Sequence, residues 1–216
     1  MILKAWEDVG RRELNSKYSV YSSRIEGEKM LARIATNSKV EYAWEYDGQE
    51  SVWHNFDGLK RIYRRGWGSL MVGIIMNDEA CLPRSPASTH YHIHPSKMKM
   101  WPRPLVPIDV LNQLPSCEDI QSTVDFTVNG YRDARIVTAL GTTTIYAPAI
   151  IDKKDVFPLK GFSISHKAIM EQLKSLSKND TIHWIIDRFN DNYNGAITFQ
   201  YEPINDGSNN RSQTFN

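Results

Sequence analysis

The sequence predicts an α/β domain. Strand signals and helix signals alternate along the chain. Residues 39–56 read as a β-hairpin around Asp47-Gly48, and Ser116-Cys117-Glu118-Asp119 reads as a helix start that precedes two further strand signals. With 216 residues the chain suits one domain with appended elements and is long enough to bury a substantial core.

Taken in order, residues 1–24 mix polar and aromatic residues without a period and are expected to form an N-terminal capping segment. A helix follows over 26–37, where Met30, Leu31 and Ile34 share one face. Lys39 to Tyr46 reads as a strand, with Val40, Tyr42, Trp44 and Tyr46 on one side and Glu41, Ala43 and Glu45 on the other. Asp47-Gly48 supplies the turn, and Ser51 to Phe56 returns as the second strand.

Lys60-Arg61-Ile62-Tyr63-Arg64-Arg65 is a basic run, either a solvated edge or a docking patch for an acidic partner. Residues 69–76 form an apolar run whose period fits a strand or a short buried helix, and 77–88 read as a loop. Residues 96–115 form a long insertion. Pro102, Pro104 and Pro107 exclude regular structure from its first half, while Met98, Met100 and Trp101 serve either as an anchor or as a flap.

A helix over 119–128 ends at Asn129-Gly130. Ala134 to Leu140 is a strand, Gly141 a turn, and Thr142 to Ala147 a strand rich in β-branched residues. After a loop at 148–162, residues 165–177 and 181–190 read as helices and Ala196 to Tyr201 as the last strand. The Asn- and Ser-rich residues 204–216 are expected to be a disordered tail.

Composition narrows the function classes. Hydrophobic residues make up 41% and charged residues 24%, ordinary for a globular protein, and the net charge of +1 gives no global reason to expect nucleic acid as a partner. Cys81 and Cys117 form no metal or disulfide framework. The N-terminal residues do not read as a signal peptide and no stretch is long and apolar enough to span a bilayer, so no membrane partner and a cytoplasmic or other intracellular location are expected.

Chemistry concentrates in Thr89-His90-Tyr91-His92-Ile93-His94-Pro95. On a strand His90, His92 and His94 point the same way, and two imidazoles two residues apart can bind one ion. Pro95 ends the pairing, because it has no N–H to give. A catalytic zinc takes three protein ligands plus a water. Asp119 is the candidate third ligand, three residues into the helix that Ser116 caps, and Asp109 in the insertion is the alternative.

These residues resemble a known family. His92-Ile93-His94-Pro95 with Ser116-x-x-Asp119 is similar to the JAMM (JAB1/MPN/Mov34) metalloprotease signature of His-x-His-Pro, a spacer and Ser-x-x-Asp. The family places a glutamate on an earlier strand, and Glu41 with Gly48 fits that register across residues 25–150. The spacer here is longer than the family's, and Trp44 stands where a small residue is common.

The resemblance implies a three-layer α-β-α MPN (cytidine-deaminase-like) domain over 25–203. Its mixed central sheet would carry Glu41, His92 and His94, with the 27–38 helix on one face and the Ser116 helix on the other. It implies Zn2+ held by His92, His94 and Asp119, Glu41 as general base, and Ser116 as hydrogen-bond donor to the oxyanion. The activity would be hydrolysis of peptide or isopeptide bonds in a protein substrate, with conjugates of ubiquitin-like proteins among those the family cleaves. Family members without the metal site act as scaffolds, or as parts of larger assemblies, which is the alternative. Glu45, on the same face as Glu41, is its rival as base.

Other His-x-His chemistries fit less well. A cupin needs a glutamate soon after the second histidine, and residues 95–100 contain none. A carbonic-anhydrase-like site needs a third histidine on a neighbouring strand, and none lies between His94 and His166. An amidohydrolase barrel needs about 250 residues. His54, His166 and His183 are read as surface or packing residues, and His90 as a partner behind the ligands or an outer ligand.

Overall fold

The computed structural model describes residues 19–38, 41–55, 60–66, 69–75, 82–97, 106–148 and 164–204. In chain order these form β1 (Ser19–Tyr21), α1 (Arg24–Asn37), β2 (Ala43–Asp47), β3 (Val52–Asn55), β4 (Lys60–Gly66), β5 (Ser69–Ile75) and β6 (Ser88–Ile93). There follow α2 (Ile108–Leu111), α3 (Cys117–Val128), β7 (Asp133–Val137), β8 (Gly141–Tyr146), α4 (His166–Leu173), α5 (Lys178–Tyr193) and β9 (Thr198–Pro203). The described strands make a seven-stranded sheet in the order β1-β3-β2-β6-β7-β8-β9 and a separate β4-β5 hairpin. The large sheet is mixed: β6 and β7 run parallel, and every other pair is antiparallel.

The strand registers sort side chains onto two faces. Ala43 lies opposite His92 and Glu45 opposite His90. Across β7 and β8 the same face continues through Ala134, Ile136 and Ile145. Here α3 packs with Ile120 and Val124, and α5 with Ile182, Ile185, Ile186 and Phe189, over Phe199 and Tyr201 of β9. The other face carries Trp44, Tyr46, Trp53, Tyr91, Ile93 and Val137, covered by Leu31, Ala32 and Ala35 of α1. Helices therefore cover both faces of one sheet, each burying an apolar stripe.

A buried charged network also joins α1 to the sheet. Glu28 accepts hydrogen bonds from the Tyr91 hydroxyl at 2.7 Å and from Arg135 Nη1 at 2.9 Å. Arg135 also meets Asp133 at 3.4 Å. Complete pairing offsets the desolvation that burying these charges costs.

Several expectations change in detail. Residues 19–21 join the sheet, so the domain begins inside the expected capping segment. The pairing is Ser19 with His54 through Tyr21 with Val52. Of the expected strand Lys39–Tyr46, residues 39 and 40 lie outside the described residues and regular strand begins at Ala43, though Ile93 N–H still donates to Tyr42 O. Residues 69–75 are strand, paired to the basic run; side chains of both strands lie outside the description.

Gly141 is the first residue of β8, not a turn: a β-carbon there would lie 2.5 Å from Glu202 O and from the Tyr201 ring, so glycine serves the close approach of β9. Thr138 makes the turn, donating its N–H to Gly141 O. Helices α4 and α5 divide where Ser177 caps Asp180, which moves both boundaries from those expected. The second half of the 96–115 insertion contains helix α2, while Met98, Met100 and Trp101 lie outside the described residues, as does 205–216. Among the described residues, no helix is long and apolar enough to cross a membrane.

Gly27 sits where α1 crosses Trp53, and a β-carbon at 27 would overlap the indole. Helix propensity alone favours Gly27→Ala by about 1 kcal/mol. Overpacking a fully buried tryptophan reverses that sign, and urea unfolding should show a net loss of about 1–3 kcal/mol.

Candidate metal centre

The site lies where β6 ends beside the start of α3. His92 points to the α3 face of the sheet. His94 N–H donates to Val137 O at 3.1 Å, so the chain stays extended one residue past the strand and His94 returns to the His92 side. Beyond Pro95 the chain turns away, with Ser96 N–H donating to Ala35 O.

Helix α3 brings the carboxylate. Ser116 is its N-cap and Asp119 its third residue, and the two form a capping box. Asp119 N–H donates to Ser116 Oγ at 3.1 Å, and Asp119 Oδ2 accepts from Ser116 N–H at 2.6 Å. That box turns the other oxygen toward the sheet: His92 Nε2 is 3.1 Å from Asp119 Oδ1, and His94 Nε2 is 3.5 Å from Oδ2. The two imidazole Nε2 atoms are 3.1 Å apart. His92, His94 and Asp119 thus form a group able to hold a metal ion, with ligand atoms within 4.8 Å of one another.

Asn112, in the insertion, defines which His94 nitrogen faces the group. His94 Nδ1 is 2.7 Å from Asn112 O. A carbonyl can only accept, so Nδ1 carries the proton and Nε2 is turned to Asp119 and His92. Asn112 has no metal-binding side chain and stands eighteen residues from His94, so no sequence motif marks it.

The electrostatics follow from burial and from this grouping. Burial pulls the His94 imidazole down, but the adjoining Asp119 carboxylate outweighs it and pushes the pKa up to about 9. Burial likewise opposes ionisation of Asp119, yet His92 and His94 hold its carboxyl well below the usual range. Glu41 shares this environment. Continuing the β2–β6 register two pairs beyond Ala43–His92 sets Glu41 opposite His94. Burial raises the Glu41 pKa, the nearby His94 and His92 lower it, and Asp119 raises it.

The other candidates stand elsewhere. Asp109 ion-pairs with Lys178 Nζ at 2.6 Å and is not in the metal-capable group. Glu45 accepts from Arg84 N–H at 2.7 Å and Ser88 Oγ at 2.5 Å, opposite His90 rather than His94. His90 is buried and stacked on Phe126 at 4.0 Å, a packing role behind the ligands. His183 packs against the Tyr201 ring, and His166 is exposed at the start of α4. Compared with known proteins, the chain matches no family model, no curated protein and no solved structure.

A metal must displace the proton of His94 Nε2, so acid opposes binding. Asp119 stays ionised throughout the range in which His94 titrates. Competition with a chromogenic chelator should show apparent Co2+ affinity rising as pH climbs toward His94's pKa of about 9, by about tenfold per pH unit for that proton, and levelling above it.

Proposed function

We propose that this protein is a zinc-dependent metallohydrolase of the JAMM/MPN type, cleaving peptide or isopeptide bonds in a protein substrate, with conjugates of ubiquitin-like proteins as the substrate class to test first. The observation that supports this reading is the meeting of His92, His94 and Asp119, with Glu41 opposite His94 in the continued β2–β6 register. Two imidazole nitrogens and one carboxylate oxygen suit zinc, and leave one position of a tetrahedral ion open to water or substrate. Ligand atoms on a tetrahedral zinc are about 3.3 Å apart, given bonds of about 2.0–2.1 Å. The separations of 3.1 Å between the imidazoles and 3.1 Å from His92 to Asp119 agree with that.

Zinc bound there supplies a water ionisable near neutral pH and a Lewis acid for the scissile carbonyl. The chain supplies the rest. Glu41 takes the proton of the attacking water and returns it to the leaving nitrogen, and burial raises its pKa in the direction this work requires. Ser116 Oγ accepts from Asp119 N–H, leaving its hydroxyl proton to donate to the carbonyl oxygen as negative charge grows there. Asn112 O holds His94 in place, and Ser116 N–H holds Asp119.

Elemental analysis of purified protein should find one zinc per chain, lost in Asp119→Ala and retained in Asp109→Ala. Protein that takes up no zinc would leave the scaffold role in its place. Glu41→Gln separates base from ligand: zinc content and Tm should hold while turnover of an isopeptide or peptide substrate falls about 10²–10⁴-fold. Full activity in Glu41→Gln with loss in Glu45→Gln would move the base to Glu45.

A further inference from the structure

We infer that Asn112 is a positioning residue for the metal centre, holding the His94 ring through its main-chain carbonyl and the adjoining Pro95 carbonyl through its side chain. The inference rests on the metallohydrolase reading of the site. The Asn112 carbonyl accepts from His94 Nδ1 at 2.7 Å, and its side-chain Nδ2 donates to Pro95 O at 2.8 Å. One residue thereby fixes the imidazole and the carbonyl of the residue that follows it. The carboxamide is buried, so Pro95 O has no solvent to turn to if that donor is removed.

The bracket is itself anchored. Asn112 is the C-cap of α2, its N–H donating to Ile108 O at 2.8 Å, and Val110 is fully buried in the core. Next to it, Gln113 donates to Thr143 Oγ1 at 2.7 Å and accepts from Thr138 Oγ1 at 2.5 Å. Asp109 ties the same segment to Lys178. The second half of the insertion is therefore bolted to the sheet and to α5, and it presents one carbonyl to one ligand ring. A metal-bound histidine whose other nitrogen donates to a fixed acceptor has its ring plane and tautomer set before the ion arrives. The extra length between His94 and Asp119 serves this purpose.

The test compares wild type with Asn112→Ala and Asn112→Asp in the full chain. The first deletes the donor to Pro95; the second sets an oxygen against that carbonyl. Asn190→Ala is the control for stability, because Asn190 makes two hydrogen bonds to the Phe199 backbone at 2.9 and 2.8 Å, far along the sheet. Zn2+ affinity by chelator competition should weaken about 10–100-fold in both Asn112 variants, the usual scale for an outer partner of a ligand. Their Co2+ d–d spectra should change as well. Asn190→Ala should lower Tm and leave affinity and spectrum as in wild type. Asn112 variants within about twofold of wild-type affinity, with unchanged spectra, overturn the inference, as does an equal loss in Asn190→Ala.

Wild type that binds neither Zn2+ nor Co2+ overturns the hydrolase reading instead. Long-range 1H–15N NMR then reads the bracket without metal: a protected His94 Nδ1–H in wild type, lost in both Asn112 variants, supports it, and retention in the variants overturns it.

Discussion

The register between β2 and β6 is the constraint on which the rest of this structure depends. Ala43 opposite His92 means that Tyr91 faces α1 while His92 faces α3. A slip of one residue would turn every side chain of the central strand to the wrong face. Two sets of contacts oppose such a slip. On the α1 side, Trp53 packs between Tyr46 and Tyr91, with ring centroids 4.8 and 4.6 Å away. On the α3 side, Glu45 is fixed by the Arg84 and Ser88 donors. The fold holds its central strand by aromatic packing above and by charge-assisted hydrogen bonds below.

The site combines two kinds of positioning. The histidines come from a strand, where alternation alone aims them. The carboxylate comes from a helix end, where unpaired N–H groups aim it. A buried carboxylate among imidazoles is favourable because each offsets the desolvation of the other, which is why Asp119 is shifted down and His94 up. At Glu41 the balance falls the other way: burial outweighs the attraction of His94 and His92 and the pKa is raised.

Local chemistry was legible in the sequence and long-range chemistry was not. Asp47-Gly48 announced the β2–β3 hairpin, and Ser116-x-x-Asp119 announced the capping box, because each motif acts within four residues. The facing of His92 and His94 followed from strand period. Gly141 misled because glycine signals both a turn and a close approach, and only the position of β9 distinguishes them. His90 reads from the sequence as a partner behind the ligands or an outer ligand; its ring lies 5.7 Å from that of His92, and what the sequence did not show is Phe126, thirty-six positions later, stacked on it. Asn112 carried no signal, since what it offers His94 is a main-chain carbonyl that every residue possesses. The paired charges Glu28 and Arg135 were silent for the related reason that they meet only after the chain has folded.

Asp119 serves the helix and the site with one carboxylate: Oδ2 closes the cap on Ser116 N–H while Oδ1 faces His92. On the metallohydrolase reading, its retention in a descendant of this chain would therefore say little about activity, because the helix would keep it for stability in any case. His92 and His94 occupy strand positions that neutral side chains of similar bulk fill as well. Among the described residues a carboxylate at position 41 has no such second employment, since burial opposes its charge and no described cap or turn uses it. On the metallohydrolase reading proposed above, loss of activity would be written first at Glu41, the residue that the described fold has least reason to keep.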